Sequence, residues 1–242
     1  MTGTPVRLAC LDMAGTTVTD DGAVLDAFTA ALATAGIEPP SARFDGACAY
    51  VLETMGQSKI AVFTTLFDGD VAAATRANDA FEAAYAASIE GGRVAPMHGA
   101  VDAMDELAAH GVQVCLTTGF SSSTRDALIA ALGWQERAAL VLTPAETGRG
   151  RPFPDMILSA VLRLEIDDVR SVVVAGDTVS DLIAGQRAGA GLVVGVLTGA
   201  HAKDQLASVA GAVLIDSVAD LPGLLFEQGG HFVQEDHEAV SH

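Results

Sequence analysis

The chain alternates between short, continuous apolar runs and longer segments in which apolar residues recur at helical spacing. The apolar runs have the length of β-strands and lie at residues 6–12, 112–118, 139–143, 171–177 and 191–197, with a weaker run at 212–216. Continuous apolar runs are typical of strands that are buried on both faces. Helical patterns fill the intervals between the later runs, and two of them end at Gly111 and Gly133. The alternation predicts an α/β fold with a doubly wound parallel sheet.

Residues 20–95 interrupt this alternation. The segment is rich in alanine and has helical patterns throughout, with no convincing strand. We therefore expect a helical insert (residues 20–95) on a core formed by residues 1–19 and 96–225, with residues 91–99 as the hinge back into the core. Residues 226–242 are polar and unpatterned, which predicts a flexible tail. Its histidines lack the tight spacing of a metal site: His231, His237 and His242.

The composition fits a globular protein and excludes several classes of partner. Half of the 242 residues are hydrophobic, and the formal net charge is −18. This charge disfavours nucleic acid and anionic membranes, because both bind basic patches. The sequence contains neither a run of about 18 apolar residues nor a secretory leader pattern. Three cysteines, Cys10, Cys48 and Cys115, argue against a disulfide framework and favour a cytoplasmic location.

Polar residues that can carry chemistry follow several of the predicted elements. They are Asp12 after the first strand, Thr117 and Thr118 in LTTGF after the second, Arg151 in GRGRPFPD before a helix, and Asp177 and Asp181 in GDTVSD. The carboxyl ends of parallel strands share one edge of a sheet, where ligands bind. We therefore expect these side chains to converge. The alternative is that these residues are only helix N-caps. Capping could account for any one of these motifs, but it accounts poorly for four motifs in this order.

These residue types favour phosphoryl transfer. Asp12 and Asp177 offer the oxygen ligands that Mg²⁺ prefers. Thr118 can hold phosphoryl oxygens together with the backbone N–H groups beside it, at Thr117 and Gly119. Arg151 can neutralise charge on the transferred group.

Taken in order, LDMAGTT, LTTGF, GRP and AGDTVSD resemble the four motifs of the haloacid-dehalogenase superfamily. The resemblance implies a Rossmann-like core, a helical cap formed by the insert, and a Mg²⁺-dependent hydrolase. It implies that Asp12 is the nucleophile that forms an aspartyl-phosphate. Mg²⁺ would lie between Asp12, the carbonyl of Ala14 and Asp177, with Asp181 in support. Most phosphatases of the superfamily have an acid/base aspartate two residues after the nucleophile, where this chain has Ala14.

One branch of the superfamily, phosphonoacetaldehyde hydrolase, is similar to the chain at this position as well. It has alanine in an AGTT motif and arginine in the third motif, and these match Ala14 and Arg151. Its cap carries a Schiff-base lysine in an MGxxK motif, and the insert contains MGQSK. The resemblance implies that Met55 and Gly56 contact the substrate and that Lys59 forms an imine.

An imine would explain the missing acid. A P–O ester leaves as an alkoxide and needs a proton, whereas a P–C bond would leave a carbanion that no ordinary acid stabilises well. An imine between Lys59 and a neighbouring carbonyl group accepts those electrons, so that the carbon leaves as an enamine. The lysine must be neutral to attack, and burial under the cap would lower its pKa.

Three positions depart from this branch and keep other functions open. Val62, Phe120 and Gly22 stand where the branch has histidine, tyrosine and cysteine. The first interpretation is a phosphonatase-like hydrolase of a small phosphonate or phosphate, in which Lys59 forms an imine or binds phosphate as a cation. The second is a phosphoglycolate-type phosphatase that cleaves P–O esters, and the third is a non-catalytic binding protein. The branch often dimerises through its cap, so the resemblance also suggests a homodimer.

Overall fold

The computed structural model describes residues 5–227, so the three histidines of the predicted tail lie outside the described residues. In chain order the strands are β1 (Leu8–Asp12), β2 (Val18–Thr19), β3 (Ala95–Pro96), β4 (Gln113–Thr117), β5 (Leu140–Leu142), β6 (Val172–Gly176), β7 (Leu192–Val196) and β8 (Val213–Ile215). Six of them form one parallel sheet in the spatial order β5-β4-β1-β6-β7-β8. The predicted α/β sheet is confirmed, and each of the six predicted runs contains one of its strands.

The helices follow the sequence pattern closely. They are α1 (Ala23–Ala33), α2 (Ala42–Glu53), α3 (Lys59–Leu66), α4 (Val71–Glu90), α5 (Ala100–Ala109), α6 (Ser122–Leu132), α7 (Pro144–Thr147), α8 (Asp155–Arg163), α9 (Val179–Ala188) and α10 (Lys203–Ala207), with short 3₁₀ turns at Val169–Ser171 and Val218–Asp220. Ser121 accepts a hydrogen bond from the N–H of Thr124 and begins α6, and Gly133 ends it with a φ of 67°. A serine cap and a left-handed glycine therefore fix the ends of α6 where the sequence places them.

Side chains alternate between the two faces of the sheet and are buried on both. On β1, Leu8 and Cys10 pack with Met156 and Ile157 of α8, whereas Ala9 and Leu11 face the larger cluster that includes α5 and α6. Each fully buried leucine contributes about 2 kcal/mol through removal of apolar surface from water. Burial on both faces is the physical reason that these strands read as continuous apolar runs.

Helices α1, α3 and α4 pack together through aromatic side chains. Phe28 of α1, Phe63 of α3 and Phe81 of α4 pack against one another, with ring centroids 4.7 to 6.2 Å apart. These helices lie within the predicted insert, and its bounds as a separate domain stay a prediction.

A two-stranded antiparallel ribbon connects the insert to the core. Val18 pairs with Pro96 and Thr19 with Ala95, so the segment expected to be a plain hinge contains strand β3. Two-residue strands are too short to produce a periodic pattern, and a proline disfavours a strand prediction. Both crossings between core and insert therefore pass through one small ribbon.

The described chain ends in a helical turn of π type at Gly223–Glu227. The ring of Phe226 stacks on His110 at the end of α5, with centroids 3.9 Å apart. Phe226, the first residue of the predicted tail, is thus packed on the core. Within the described part of the chain, no helix combines the length and hydrophobicity that a membrane span needs.

Candidate active site

The sheet order brings three carboxylates together at one edge. Strand β1 lies between β4 and β6, so Asp12 at the end of β1 is beside the loops that follow its two neighbours. Asp177 directly follows β6, and Asp181 lies in the first turn of α9. One oxygen from each of these carboxylates lies within 4.8 Å of the others, and all three residues are buried.

The backbone around Asp177 holds its carboxylate in a fixed position. The hydroxyl of Thr16 donates to Oδ1 at 3.1 Å, and the N–H of Ala200 donates to Oδ2 at 2.7 Å. Two glycines allow this close approach: a Cβ at Gly199 would lie 2.0 Å from Oδ2, and a Cβ at Gly15 would lie 2.5 Å from it. Glycine is required at both positions because any side chain would displace the carboxylate.

Arg151 connects two of the carboxylates. Its Nη1 donates to Asp12 and to Asp181, and both ion pairs are buried. Asp181 also accepts a hydrogen bond from the N–H of Thr178 at 3.1 Å, which closes the capping box that begins α9. Asp181 thus holds both Arg151 and the loop that contains Asp177 and Thr178. The Nε of Arg151 is buried and has no hydrogen-bond partner among residues 5–227.

The cluster contains more carboxylates than cations, and burial makes their negative charge costly. The pKa of Asp12 is raised well above its usual range by burial and by the neighbouring Asp181 and Asp177, even though Arg151 opposes the effect. Burial and Asp181 raise the pKa of Asp177 to about 6. One guanidinium does not balance three buried carboxylates, and a divalent cation would.

The donor set fits Mg²⁺. Three hard oxygen donors converge, and Asp177 is already held by backbone and hydroxyl groups, as a metal ligand is when a second layer of hydrogen bonds orients it. When bound there, Mg²⁺ would neutralise charge on the carboxylates and on a phosphoryl oxygen.

Ala14 lies in the turn after β1. Its neighbour Gly15 donates from N–H to the carbonyl of Val18 at 2.8 Å, and Ala14 forms an isolated bridge with Val18. Ala14 lines the same cavity as Asp12. The position that holds an acid in most phosphatases of the superfamily therefore borders the reaction space here without a proton donor.

Lys59 reaches this cavity from the insert. It is the first residue of α3, and its backbone N–H lies 3.4 Å from the carbonyl oxygen of Gly119. The loop before it packs tightly on the core: a Cβ at Gly56, where φ is 82°, would lie 2.4 Å from Thr178 Oγ1. A Cβ at Gly119 would lie 2.4 Å from the carbonyl oxygen of Gln57. The MGQSK and LTTGF segments thus meet through glycines, and this contact positions Lys59.

Aromatic rings surround the amine of Lys59. Its Nζ lies 5.2 Å from the ring centroid of Phe120, 5.6 Å from that of Phe28 and 5.9 Å from that of Phe81. None of the ion pairs formed by residues 5–227 includes Lys59. Burial and the charge of Arg151 lower the pKa of Lys59 to about 8. At neutral pH roughly one molecule in ten then has a neutral amine, against about one in a few thousand for an ordinary lysine.

The two threonines of LTTGF have different environments. Thr118 lines the cavity, and its hydroxyl accepts a hydrogen bond from the N–H of Phe120 at 3.2 Å. Thr117 does not line it, because its hydroxyl donates to the carbonyl of Leu11 at 3.4 Å in the sheet. Of the predicted substrate contacts, Met55, Gly56 and Gly119 border the cavity and Thr117 does not.

The cavity has a volume of about 410 Å³. Besides the predicted residues, its walls include Asp20, Asp21, Val24, Leu25, Leu52 and Met97. These residues belong to no motif, and the sequence offers no signal for them. The second arginine of GRGRPFPD, Arg149, does not line the cavity: it pairs with Asp155 at 2.9 Å and is largely exposed.

Two further polar contacts join the insert to the core, and sequence reasoning missed both. Glu82 of α4 accepts hydrogen bonds from the N–H and hydroxyl of Ser121 at 3.3 and 2.6 Å and from Thr124. His201 lies between the N–H of Val179 and the carbonyl of Leu52. The segments of the insert held by these contacts lie before and after Lys59 in the chain, at Leu52 and at Glu82.

Comparison with known proteins places this site in a family. The family model described as haloacid dehalogenase-like hydrolase matches residues 6–189. The chain therefore belongs to the haloacid dehalogenase-like hydrolases, and the predicted superfamily is confirmed. The chain is 26% identical to a phosphonoacetaldehyde hydrolase of Bacillus thuringiensis (strain Al Hakam) over 145 residues. This aligned stretch covers 58% of this chain and 54% of that protein. The chain thus spans about half the length of the curated relatives it matches.

Solved structures agree with this assignment. A phosphonoacetaldehyde hydrolase-like protein from Oleispira antarctica superposes with a TM-score of 0.75 at 27% identity, over 94% of each chain. A hydrolase from Pseudomonas syringae superposes with a TM-score of 0.78 at 21% identity, over 91% of this chain and 98% of that one. The second likeness shows the fold alone.

Proposed function

We propose that the chain is a Mg²⁺-dependent, phosphonatase-like hydrolase that cleaves the P–C bond of a small carbonyl-bearing phosphonate. The observation that carries the proposal is the buried, aromatic-caged amine of Lys59, which borders the same cavity as Asp12. A lysine that only binds phosphate works best as a full cation, whereas burial in this site lowers the pKa of Lys59 and makes the neutral amine far more accessible than in an ordinary lysine. The activity named for the Bacillus thuringiensis relative is consistent with this chemistry.

The first step is formation of the imine. The neutral Nζ of Lys59 attacks the carbonyl carbon, a proton is taken up, and the carbonyl oxygen leaves as water. The product is a cationic imine on the carbon next to the C–P carbon. The cage of Phe28, Phe81 and Phe120 stabilises a cation through the faces of its rings, so it suits the imine that forms from the amine.

The second step breaks the P–C bond. A carboxylate oxygen of Asp12 attacks phosphorus, and the electron pair of the P–C bond moves to the imine, which becomes a neutral enamine. Arg151 and Thr118 line the same cavity as Asp12, and in this proposal they bind the phosphoryl oxygens. Since the carbon leaves as an enamine, no acid is needed at Ala14.

The last steps regenerate the enzyme. The enamine takes up a proton on carbon, and water hydrolyses the resulting imine to release the carbonyl product and Lys59. A second water hydrolyses the aspartyl-phosphate to inorganic phosphate and Asp12. One water is lost and two are consumed, so the net reaction is hydrolysis of the P–C bond by one water.

Borohydride trapping tests the imine. The chain contains two lysines, Lys59 and the exposed Lys203, so an adduct is readily assigned by mass spectrometry. Incubation with phosphonoacetaldehyde and borohydride should give a reduced adduct at Lys59 and none at Lys203. Lys59→Arg keeps the charge but cannot form the imine, so adduct and P–C cleavage should both vanish. Substantial P–C cleavage by Lys59→Arg would overturn the imine step and leave Lys59 as a phosphate-binding cation.

The same assay separates the alternative functions. Parallel turnover of phosphonoacetaldehyde and a panel of phosphomonoesters should show P–C cleavage as the faster reaction. Rapid-quench labelling should find phosphate on Asp12, and Asp12→Asn should lose both label and turnover. Hydrolysis of phosphomonoesters alone would instead support the phosphoglycolate-type phosphatase, and no Mg²⁺-dependent phosphate release at all would support a binding protein.

A further inference from the structure

Two chemically different groups of residues line the cavity, and we name them the polar end and the apolar end. Core residues supply a polar end, where Asp12, Thr118, Arg151 and Asp177 lie. Residues of the insert and of its return to the core supply an apolar end, formed by Val24, Leu25, Leu52, Met55 and Met97. The amine of Lys59 belongs to the wall on the insert side. A substrate whose phosphorus meets Asp12 and whose carbonyl meets Lys59 would have these apolar residues available for the rest of its carbon chain.

The size of the cavity exceeds what a two-carbon phosphonate needs. Cavities of about 300–1,000 Å³ hold drug-sized ligands, and this one measures about 410 Å³. Leu25 and Leu52 remain 43% and 46% exposed at its rim, so apolar surface stays in contact with water unless a ligand covers it. A larger substrate would fill this space and bury that surface.

The surroundings of the apolar end also select against charge. Asp20 and Asp21 border the cavity on the insert side. Asp20 is held in place by the N–H groups of Gly22 and Val24, at 3.2 and 3.3 Å. An anionic group beside the carbonyl carbon would meet these carboxylates and lose its hydration against leucine and methionine. An uncharged group on the carbonyl carbon would avoid both costs.

We propose that the substrate is a 2-oxoalkylphosphonate, in which an uncharged alkyl group of several carbons extends from the carbonyl carbon into the apolar end of the cavity. This inference rests on the proposed P–C cleavage through Lys59. The ketone forms the imine with loss of water, Asp12 takes the phosphoryl group, and the P–C electron pair forms the enamine. Protonation on carbon and hydrolysis then release a methyl ketone and inorganic phosphate, with net consumption of one water.

A homologous series of ketones tests the proposal with the wild-type chain. The kcat/KM would be measured for 2-oxopropyl-, 2-oxobutyl- and 2-oxohexylphosphonate, with 3-phosphonopyruvate as the anionic member. Each buried methylene adds about fourfold, equivalent to about 0.8 kcal/mol. We therefore expect kcat/KM to rise along the series, by at least about tenfold from the shortest to the longest ketone, and 3-phosphonopyruvate to be the poorest. A flat or falling series would overturn the proposal.

Two variants locate the effect. Leu52→Trp and Leu25→Trp place a larger side chain at the rim, and both positions are partly exposed, so the fold tolerates the change. The ratio of kcat/KM for the 2-oxohexyl over the 2-oxopropyl compound should fall at least about fivefold in each. Leu162→Trp, on α8 and 78% exposed, is the matched control and should keep the wild-type ratio. An unchanged ratio in both rim variants would place the alkyl group elsewhere and contradict the proposal.

The outcomes separate this inference from the proposed function. If phosphonoacetaldehyde is cleaved and trapped on Lys59 but kcat/KM does not rise along the ketone series, the P–C chemistry stands and the extended substrate is wrong. If no phosphono-carbonyl compound releases phosphate or labels Lys59, the proposed function fails, and this inference fails with it.

Discussion

The imidazole of His201 joins the core to the insert through the carbonyl oxygen of Leu52, which lies 3.1 Å from Nε2. Nδ1 accepts a hydrogen bond from the N–H of Val179 at 3.0 Å, so the proton lies on Nε2, where it is donated to Leu52. The backbone N–H of His201 donates to the carbonyl of Asp177 at 3.3 Å. One buried residue thus links the loop of the carboxylate cluster with the end of α2, a few residues before Lys59.

We predict that His201→Ala loosens the insert and shifts the pH profile of the reaction. Water that enters beside Lys59 would raise its pKa toward the ordinary value, because burial is the main cause of the lowering. The rise of kcat/KM with pH should then move to higher pH, and activity at pH 7 should fall about tenfold for each unit that the pKa rises. The measurement is a pH profile of P–C cleavage between pH 6 and 10.

Two other variants control for a general loss of structure. His110→Ala changes an exposed histidine at the far end of α5 and should leave the profile unchanged. His201→Gln keeps a side chain that can donate to Leu52 and should restore part of the activity. A His201→Ala profile identical to that of the wild type would show that this contact does not position Lys59.

The sheet could be predicted from the sequence because burial on both faces requires continuous apolar runs. The run at residues 6–12, for example, contains β1 with only its first two residues outside the strand. The ribbon of β2 and β3 could not be predicted, since each strand has two residues and their pairing joins positions about 77 apart in the chain. Local pattern therefore reveals long elements and misses short pairings.

The site shows the same division. Asp12, Asp177 and Arg151 could be expected to meet because strand ends share an edge, and the structure brings them together. The cage of Lys59 could not be expected, since its rings come from α1, α4 and the loop after β4. Only Phe120 falls within a motif, and helices α1, α3 and α4 must pack together before the rings meet the amine of Lys59. The different environments of Thr117 and Thr118 could not be predicted either. Adjacent threonines look alike in sequence, but their side chains face different ways in the fold.

We predict that Asp177→Asn weakens Mg²⁺ binding by at least about tenfold while the fold stays intact. The variant removes a charged oxygen ligand of the metal. The asparagine side chain has the same size as aspartate, and its amide oxygen can still accept a hydrogen bond from Thr16 or Ala200. Calorimetric titration with Mg²⁺ measures the affinity, and circular dichroism checks the fold. Asp204→Asn, at an exposed position in α10, is the matched control and should bind Mg²⁺ as the wild type does. Equal affinity in both variants would remove Asp177 from the metal site.

We predict that Ala14→Asp improves cleavage of alkyl phosphomonoesters and does not improve P–C cleavage. An acid beside Asp12 protonates an alkoxide leaving group, and such catalysis contributes about 10²–10⁴-fold where it is well placed. The P–C reaction gains nothing, because its carbon leaves as an enamine. Steady-state rates on an alkyl phosphate and on phosphonoacetaldehyde give the comparison. Ala14→Asn introduces a side chain of the same size as aspartate but without an acid, so neither rate should increase. If Ala14→Asn increased the rate on the alkyl phosphate as much as Ala14→Asp does, the effect would come from the shape of the side chain and not from its acidity.

We predict that Lys59→Met makes the protein more stable and inactive in P–C cleavage. The pKa of Lys59 is about 8 in the folded chain against an ordinary 10.5, so burying its charge costs about 3 kcal/mol at about 1.4 kcal/mol for each pKa unit. Methionine fills the space between the rings without a charge, and its sulfur packs well on aromatic faces.

The pH dependence of this stabilisation gives the sharper test. Below pH 8 Lys59 carries its proton in both the folded and the unfolded chain, so the cost is fully present. As pH rises from 8 to 10.5 the folded chain gives up its proton first, and the cost disappears above that range. Urea unfolding at pH 7 and at pH 10 should therefore show a stability difference between Lys59→Met and wild type that shrinks as pH rises. Lys203→Met, the exposed counterpart, should show little difference at either pH. If the stability gain of Lys59→Met were equal at both pH values, packing and not the buried charge would account for the difference between the two proteins. The pKa of Lys59 would then not be lowered as the imine step requires.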